Sequence, residues 1–218
     1  TIASGSFNPN SNNMIIKGNY SNSGTFTNGS KTVTFTATDT GNTIAGNLSG
    51  TSKFYNLVFN GVAGAWSFTS NPAVEVANDL TITNGTVTST SGNLTVTGNY
   101  SNSGTFTHNS GTMIFNAIDT GNTLAGTMSS TSSFYSLTFN GSGGAWSFTS
   151  NPAVEVANNL TITAGTLTST SHASGLTITG NYSNSGTFTH NNGTVIMNAT
   201  DAGNTLAGTL SSTSKFYN

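Results

Sequence analysis

The sequence predicts an all-β chain wound as a right-handed parallel β-helix, that is, a β-solenoid. Three observations predict it: long near-identical repeats, short alternating apolar stretches that return at intervals of about one coil, and a composition almost emptied of charge.

The repeats come first. GNYSNSGTFT stands at 18–27, 98–107 and 180–189, and AWSFTSNPAVEVAN at 65–78 and 145–158. The third copy of the first motif stands two places further along than an exact repeat would put it. The two inserted positions fall in 171–175, which reads as a loop because its flanks are undisturbed. The chain is therefore read as one continuous solenoid over 1–218, with sequence repeats at approximately 1–80, 81–160 and 161–218, the last incomplete.

Strands follow in order. MIIK at Met14, TVTF at Thr32, NLVF at Asn56 and DLTIT at Asp79 alternate apolar residues with Thr, Ser or Asn, the period of two that marks a half-buried strand. Their counterparts begin at Leu94, Thr112, Ser136, Asn159 and Leu176. Four such stretches per sequence repeat predict four coils per repeat and about eleven coils in all, stacked in parallel at roughly 4.8 Å. On that count equivalent residues lie directly over one another, roughly 19 Å apart by the same spacing. Neither end carries a polar or helical cap, so the expectation is either a longer parent chain or end-to-end stacking. The rival fold is a string of immunoglobulin-like sandwiches, one per repeat; the absence of linkers and the fourfold recurrence of one strand type favour the solenoid.

Thr, Ser and Asn make up 103 of the 218 residues, and there is no Arg, Gln or Cys. Four Lys and six acidic residues leave a net charge of −2. Thr, Ser and Asn can hydrogen-bond along a parallel stack where like charges would repel. The same sums exclude a phosphate-neutralising basic surface, and so nucleic-acid binding, along with disulfides and thiolate metal sites. No apolar run approaches a membrane span. Regularly placed Phe, Tyr, Trp, Val and Ile argue against disorder.

The run GNYSNSGTFTHNSGTMIFNA, followed by GNTLAGT, FYSLTFN and NNLTITAGTLTST, resembles repeats of very large bacterial surface proteins, the filamentous-haemagglutinin-like and autotransporter-passenger β-helices. The resemblance covers nearly the whole chain. It implies secretion, a right-handed parallel β-helix and a role as fibre, sheath or adhesin stalk, and it carries over no catalytic residue or ligand.

No cofactor is expected, and candidate sites are few. Asp39, Asp119 and Asp201 recur in D-T-G-N or D-A-G-N; they read as turn-closing residues, with a calcium site as the alternative. At four coils' separation they are too far apart for paired-carboxylate catalysis, so no enzyme activity is expected. Glu75 and Glu155 lie between inward Val residues and point to solvent. Asp79 is Asn159 in the next repeat, so its charge is dispensable. His108, His172 and His190 make no metal signature and read as loop histidines. Lys17 and Lys53 are replaced by Thr97 and Ser133, against a systematic crosslink. Trp66 and Trp146 either fill the core or, if outward, join Tyr20, Tyr100 and Tyr182 as contacts for sugars or a neighbouring filament. Outward T-x-T rows resemble ice-binding faces, but uneven coils are expected to break a lattice match. Asn19, Asn99 and Asn181 head chance N-x-S triplets. The expected function is structural and extracellular, with the chain itself as partner and surface glycans as the alternative ligand, and with neither nucleic acid nor membrane insertion.

Overall fold

A computed structural model describes all 218 residues. The chain is an all-β parallel solenoid of about nine turns; its helical content is confined to three short 3-10 turns. No helix is long and apolar enough to cross a membrane. The chain divides into two compact units, Thr1–Gly111 and Thr112–Asn218.

Each unit has three walls. In Thr1–Gly111 the first wall stacks Met14–Ile16, Thr32–Phe35, the start of Asn56–Phe68, the start of Leu80–Thr88, and Tyr100–Asn102. Its inward column runs Met14, Val33, Leu57, Leu80, Tyr100. The second wall carries Trp66, Val87 and Phe106 in one column and Tyr20, Ile44 and Phe68 in another. The third stacks Leu48, Val74 and Leu94 beside Phe54, Val76 and Val96. In Thr112–Asn218 the corresponding columns are Met113, Leu137, Leu160, Tyr182, Leu206; then Trp146, Leu167, Phe188; then Met128, Val154, Leu176, Val195. Every pair is parallel, the arrangement that period-two stretches without hairpin turns require.

These columns correct the coil count. From Met14, three turns lead to Leu80, but the next alternating stretch, at Leu94, does not lie above it. Leu94 stacks on Val74 in the third wall, and Tyr100 takes the place over Leu80. The step from Leu80 to Leu94 crosses only two of the three walls. A repeat therefore winds about three and two-thirds turns, not four, and each turn is correspondingly longer. The second unit agrees: Val195, the equivalent of Met113, lies in the third column rather than the first. The segment from Leu80 to Leu94 is too short to close a turn, so the similar stretches at its two ends belong to different walls.

Inward residues alternate with outward ones, as in the buried Val33 and Phe35 of Thr32–Phe35. Phe35 and Phe59 stack at 5.3 Å between ring centres, and Trp66 tilts over Phe59 at the same distance. Phe115, Phe139 and Trp146 repeat the cluster. Each indole lies in a notch of glycines. A Cβ on Gly64 would stand 2.6 Å from the ring of Trp66, and one on Gly85 2.8 Å.

On the third wall the 3-10 turn Gly50–Ser52 replaces a strand. The buried Phe26 N–H, which a strand carbonyl would otherwise accept, donates to Ser52 Oγ at 3.1 Å. Phe188 donates to Ser214 Oγ in the same way, at 3.0 Å.

Candidate functional site

The five aromatic residues proposed as surface contacts all point inward. Trp66 and Trp146 are 1 % exposed, Tyr20 4 %, and Tyr100 and Tyr182 not at all. None can stack on a sugar ring. In Y-S-N-S-G the Tyr and the Asn two places later share the inward side, while the Ser between them faces out. Asn22, Asn102 and Asn184 are likewise fully buried. Each accepts the N–H of the Gly two places on through Oδ1, at 3.0–3.1 Å, which closes the corner. Asn22 and Asn184 also donate to the next coil, to the Asn47 and Thr209 carbonyls. Burial pushes the Tyr20 hydroxyl up to about 12, and raises Tyr100 and Tyr182 further. In those two, the Asn102 and Asn184 side chains offset part of the rise. These are core groups that stay protonated.

The Asp-containing turns are closed by their own asparagines. Asn42 Nδ2 donates to the Asp39 carbonyl at 2.8 Å, to Asp39 Oδ1 at 3.1 Å and to the Ala65 carbonyl at 3.3 Å. Asn122 does the same for Asp119, and Asn204 contacts both the carbonyl and Oδ1 of Asp201. A calcium ion needs six to eight oxygens converging on it. Here Oδ1 of each Asp already accepts from the amide of the Asn three places on. No three His, Cys, Asp or Glu side chains gather in a metal-binding group.

Other recurrent acidic and amide side chains are tied into the coil stack. Glu75 Oε2 accepts the Gly50 N–H at 3.0 Å, and Glu155 Oε2 accepts that of Ser130 at 2.6 Å. The two acids thereby hold the 3-10 turn of the neighbouring coil, a role that the V-E-V pattern alone does not reveal. Asp79 Oδ1 accepts the backbone and side-chain N–H groups of Asn99, and Asn159 Oδ1 accepts the same pair from Asn181. Asp and Asn are interchangeable here because only an acceptor oxygen is used. Asn19 and Asn181 accept the N–H groups of Thr43 and Thr205, so these triplet asparagines act as corner ladders.

His108, His172 and His190 each accept, through Nδ1, the N–H two places ahead, at 2.9, 3.0 and 2.9 Å. Asn28, the first-repeat counterpart of His108, accepts the Ser30 N–H identically through Oδ1. Partial burial holds the His108 imidazole below its ordinary range.

Grooves on the second unit are shallow. One of about 460 Å³ is floored by Gly144, Gly165 and Gly186 and edged by Thr120, Thr163 and Thr166; no titratable side chain lines it. Another, of about 250 Å³, brings Glu155 together with Ser133, Thr177, Thr179 and Asn198.

Compared with known proteins, the chain matches no family model, no curated protein and no solved structure.

Proposed function

We propose that the chain is a non-enzymatic structural segment of an extracellular bacterial fibre, sheath or adhesin stalk, built by β-solenoid stacking. One observation carries the reading: the recurrent Asn, Asp and Glu side chains are spent within the coil stack. Asn22, Asn42, Asp79, Glu75 and their counterparts all bond to backbone or amide groups of the same or the next coil. Such ladders strengthen a rod and leave little for a ligand. The aromatic core adds to this, since burying each large side chain contributes about 1.5–3 kcal/mol. Secretion and bacterial origin rest on the resemblance of the repeats to those of large surface proteins.

Self-association is part of the proposal. A net charge of −2 on 218 residues offers little repulsion between copies. Of the alternatives, the glycan-gripping adhesin loses the aromatic contacts of Trp66, Trp146, Tyr20, Tyr100 and Tyr182 to the core.

The test is negative-stain imaging and fibre diffraction of concentrated protein. Filaments with a meridional reflection near roughly 4.8 Å, the rung spacing, are expected. Protein that stays monomeric at high concentration and gives no such reflection overturns the proposal.

A further inference from the structure

Position 133 breaks a pattern that the other two copies keep. Lys53 and Lys215 stand at equivalent places in the first and third repeats, where the second has Ser133. In the first unit Phe54 is in register with Val76, which sets Lys53 next to Glu75 on the outer side of the third wall. Phe134 and Val156 pair in the same way, so Ser133 is the neighbour of Glu155. The acid is kept, and the lysine beside it is gone. No Lys or Arg occurs anywhere between positions 54 and 214.

Two outward columns border the place that is left open. Glu155 and Thr177 form one, in register with each other. Ala157, Thr179 and Asn198 form the other, since their N–H groups bond in turn to the Phe134, Val156 and Ile178 carbonyls. The inward Val156 and Ile178 are buried and hold the columns roughly 6.6 Å apart. Ser133 and Ala157 are short, and the groove of about 250 Å³ is lined by both. The Ser133 side chain is only 8 % exposed. Glu155 Oε2 is taken by the Ser130 N–H at 2.6 Å, which fixes the carboxylate and leaves Oε1 to the groove.

We propose that this groove binds a primary alkylammonium, the head and stem of a lysine side chain supplied by another molecule. An ammonium carries three donors and no acceptor. The lining offers it one carboxylate oxygen, the Ser133, Thr177 and Thr179 hydroxyls and the Asn198 amide oxygen. One positive charge thus meets one negative charge, as partial burial of an ion requires. Ala157 and the Thr methyl groups flank the aliphatic stem. A guanidinium is held best by both carboxylate oxygens at once, and here one is already engaged. A calcium ion needs six to eight oxygens closed about it, and an open groove with a single carboxylate does not supply them. The site lies wholly within the second unit, so it does not depend on fibre formation.

The experiment is a titration of the isotope-labelled full chain with n-butylammonium, followed by amide NMR, with n-butanol, n-butylguanidinium and calcium as comparators. Saturable shifts at Ser133, Glu155, Thr177 and Thr179 are expected with the ammonium and none with the alcohol. Affinity is expected to fall about tenfold in Glu155→Gln, which keeps an oxygen for the Ser130 N–H but loses the charge. Ser133→Lys returns an ammonium to the chain itself and is expected to abolish the shifts. Circular dichroism and thermal melting check that both variants keep the fold. Glu75, beside Lys53, is the internal control and is expected to stay silent. No saturable response of the parent chain overturns the assignment. So do equal shifts at Glu75, an equal response to butanol, tighter binding of the guanidinium or of calcium, or undiminished binding by a folded Ser133→Lys. Carbodiimide coupling of mixed light and heavy copies then identifies the source of the amine. An intermolecular amide between Glu155 and a Lys assigns the groove to a second copy, and coupling to added butylamine alone assigns it to a free amine.

Discussion

At His108 a titratable ring does the work that an amide does at Asn28. The Nδ1 lone pair accepts the Ser110 N–H, and protonation removes that acceptor. Because the folded chain favours the neutral ring, its folded pKa lies below the unfolded one. The resulting stabilisation is full above the ordinary imidazole value of about 6.5 and is lost as pH falls through the lower folded value. Melting temperatures at pH 7 and pH 5 test this. The His108→Asn variant is expected to lose less stability on acidification than the parent while matching it at pH 7. An equal loss in both would show that the turn does not depend on Nδ1.

Among elements, the tightest tolerances are in the glycine notches around the indoles. Gly41 and Gly85 both hold left-handed backbone, at φ 83° and 87°, so alanine strains either. A Cβ at Gly41 meets nothing within 4 Å, whereas at Gly85 it meets the Gly64 carbonyl at 2.5 Å and the Trp66 ring at 2.8 Å. Gly41→Ala is expected to cost about 1–2 kcal/mol from the backbone alone. Gly85→Ala adds overpacking of about 1–3 kcal/mol. Denaturant unfolding of the two variants measures the difference; equal costs would mean that the Trp66 ring yields without penalty.

The strands themselves were legible in the sequence. Alternation in TVTF and NLVF reports which side chains turn inward, and Val33, Phe35, Leu57 and Phe59 are all buried. The wall to which a strand belongs was not legible, because LTIT at Leu80 and LTVT at Leu94 read alike and only closure of the turn separates them. Nor was the inward turn of the Y-S-N-S-G tyrosines, which look half exposed beside a turn until Asn is seen to share their side. Ser52 carried no signal, since its task is set by Phe26 on another coil. Among the site residues, the turn role of the Asp motifs was legible from their Gly and Asn neighbours, but Glu75's hold on the neighbouring coil was not.

For the whole molecule, the fractional turn per repeat has a direct test. In register, Thr95 lies beside Glu75 and not beside Thr81. Pyrene on cysteines replacing Glu75 and Thr95 is expected to give excimer fluorescence, and on cysteines replacing Thr81 and Thr95 none. The reverse result would restore four coils per repeat.

The remainder of a third has a consequence for how such a sequence duplicates. Copying one repeat block does not lay the same chemistry on the same side twice; it rotates the pattern by a compass third. Three copies bring it round. Lengthening by duplication therefore distributes any new surface property around the axis, and a mutation that makes one side adhesive becomes, after copying, adhesive in several directions.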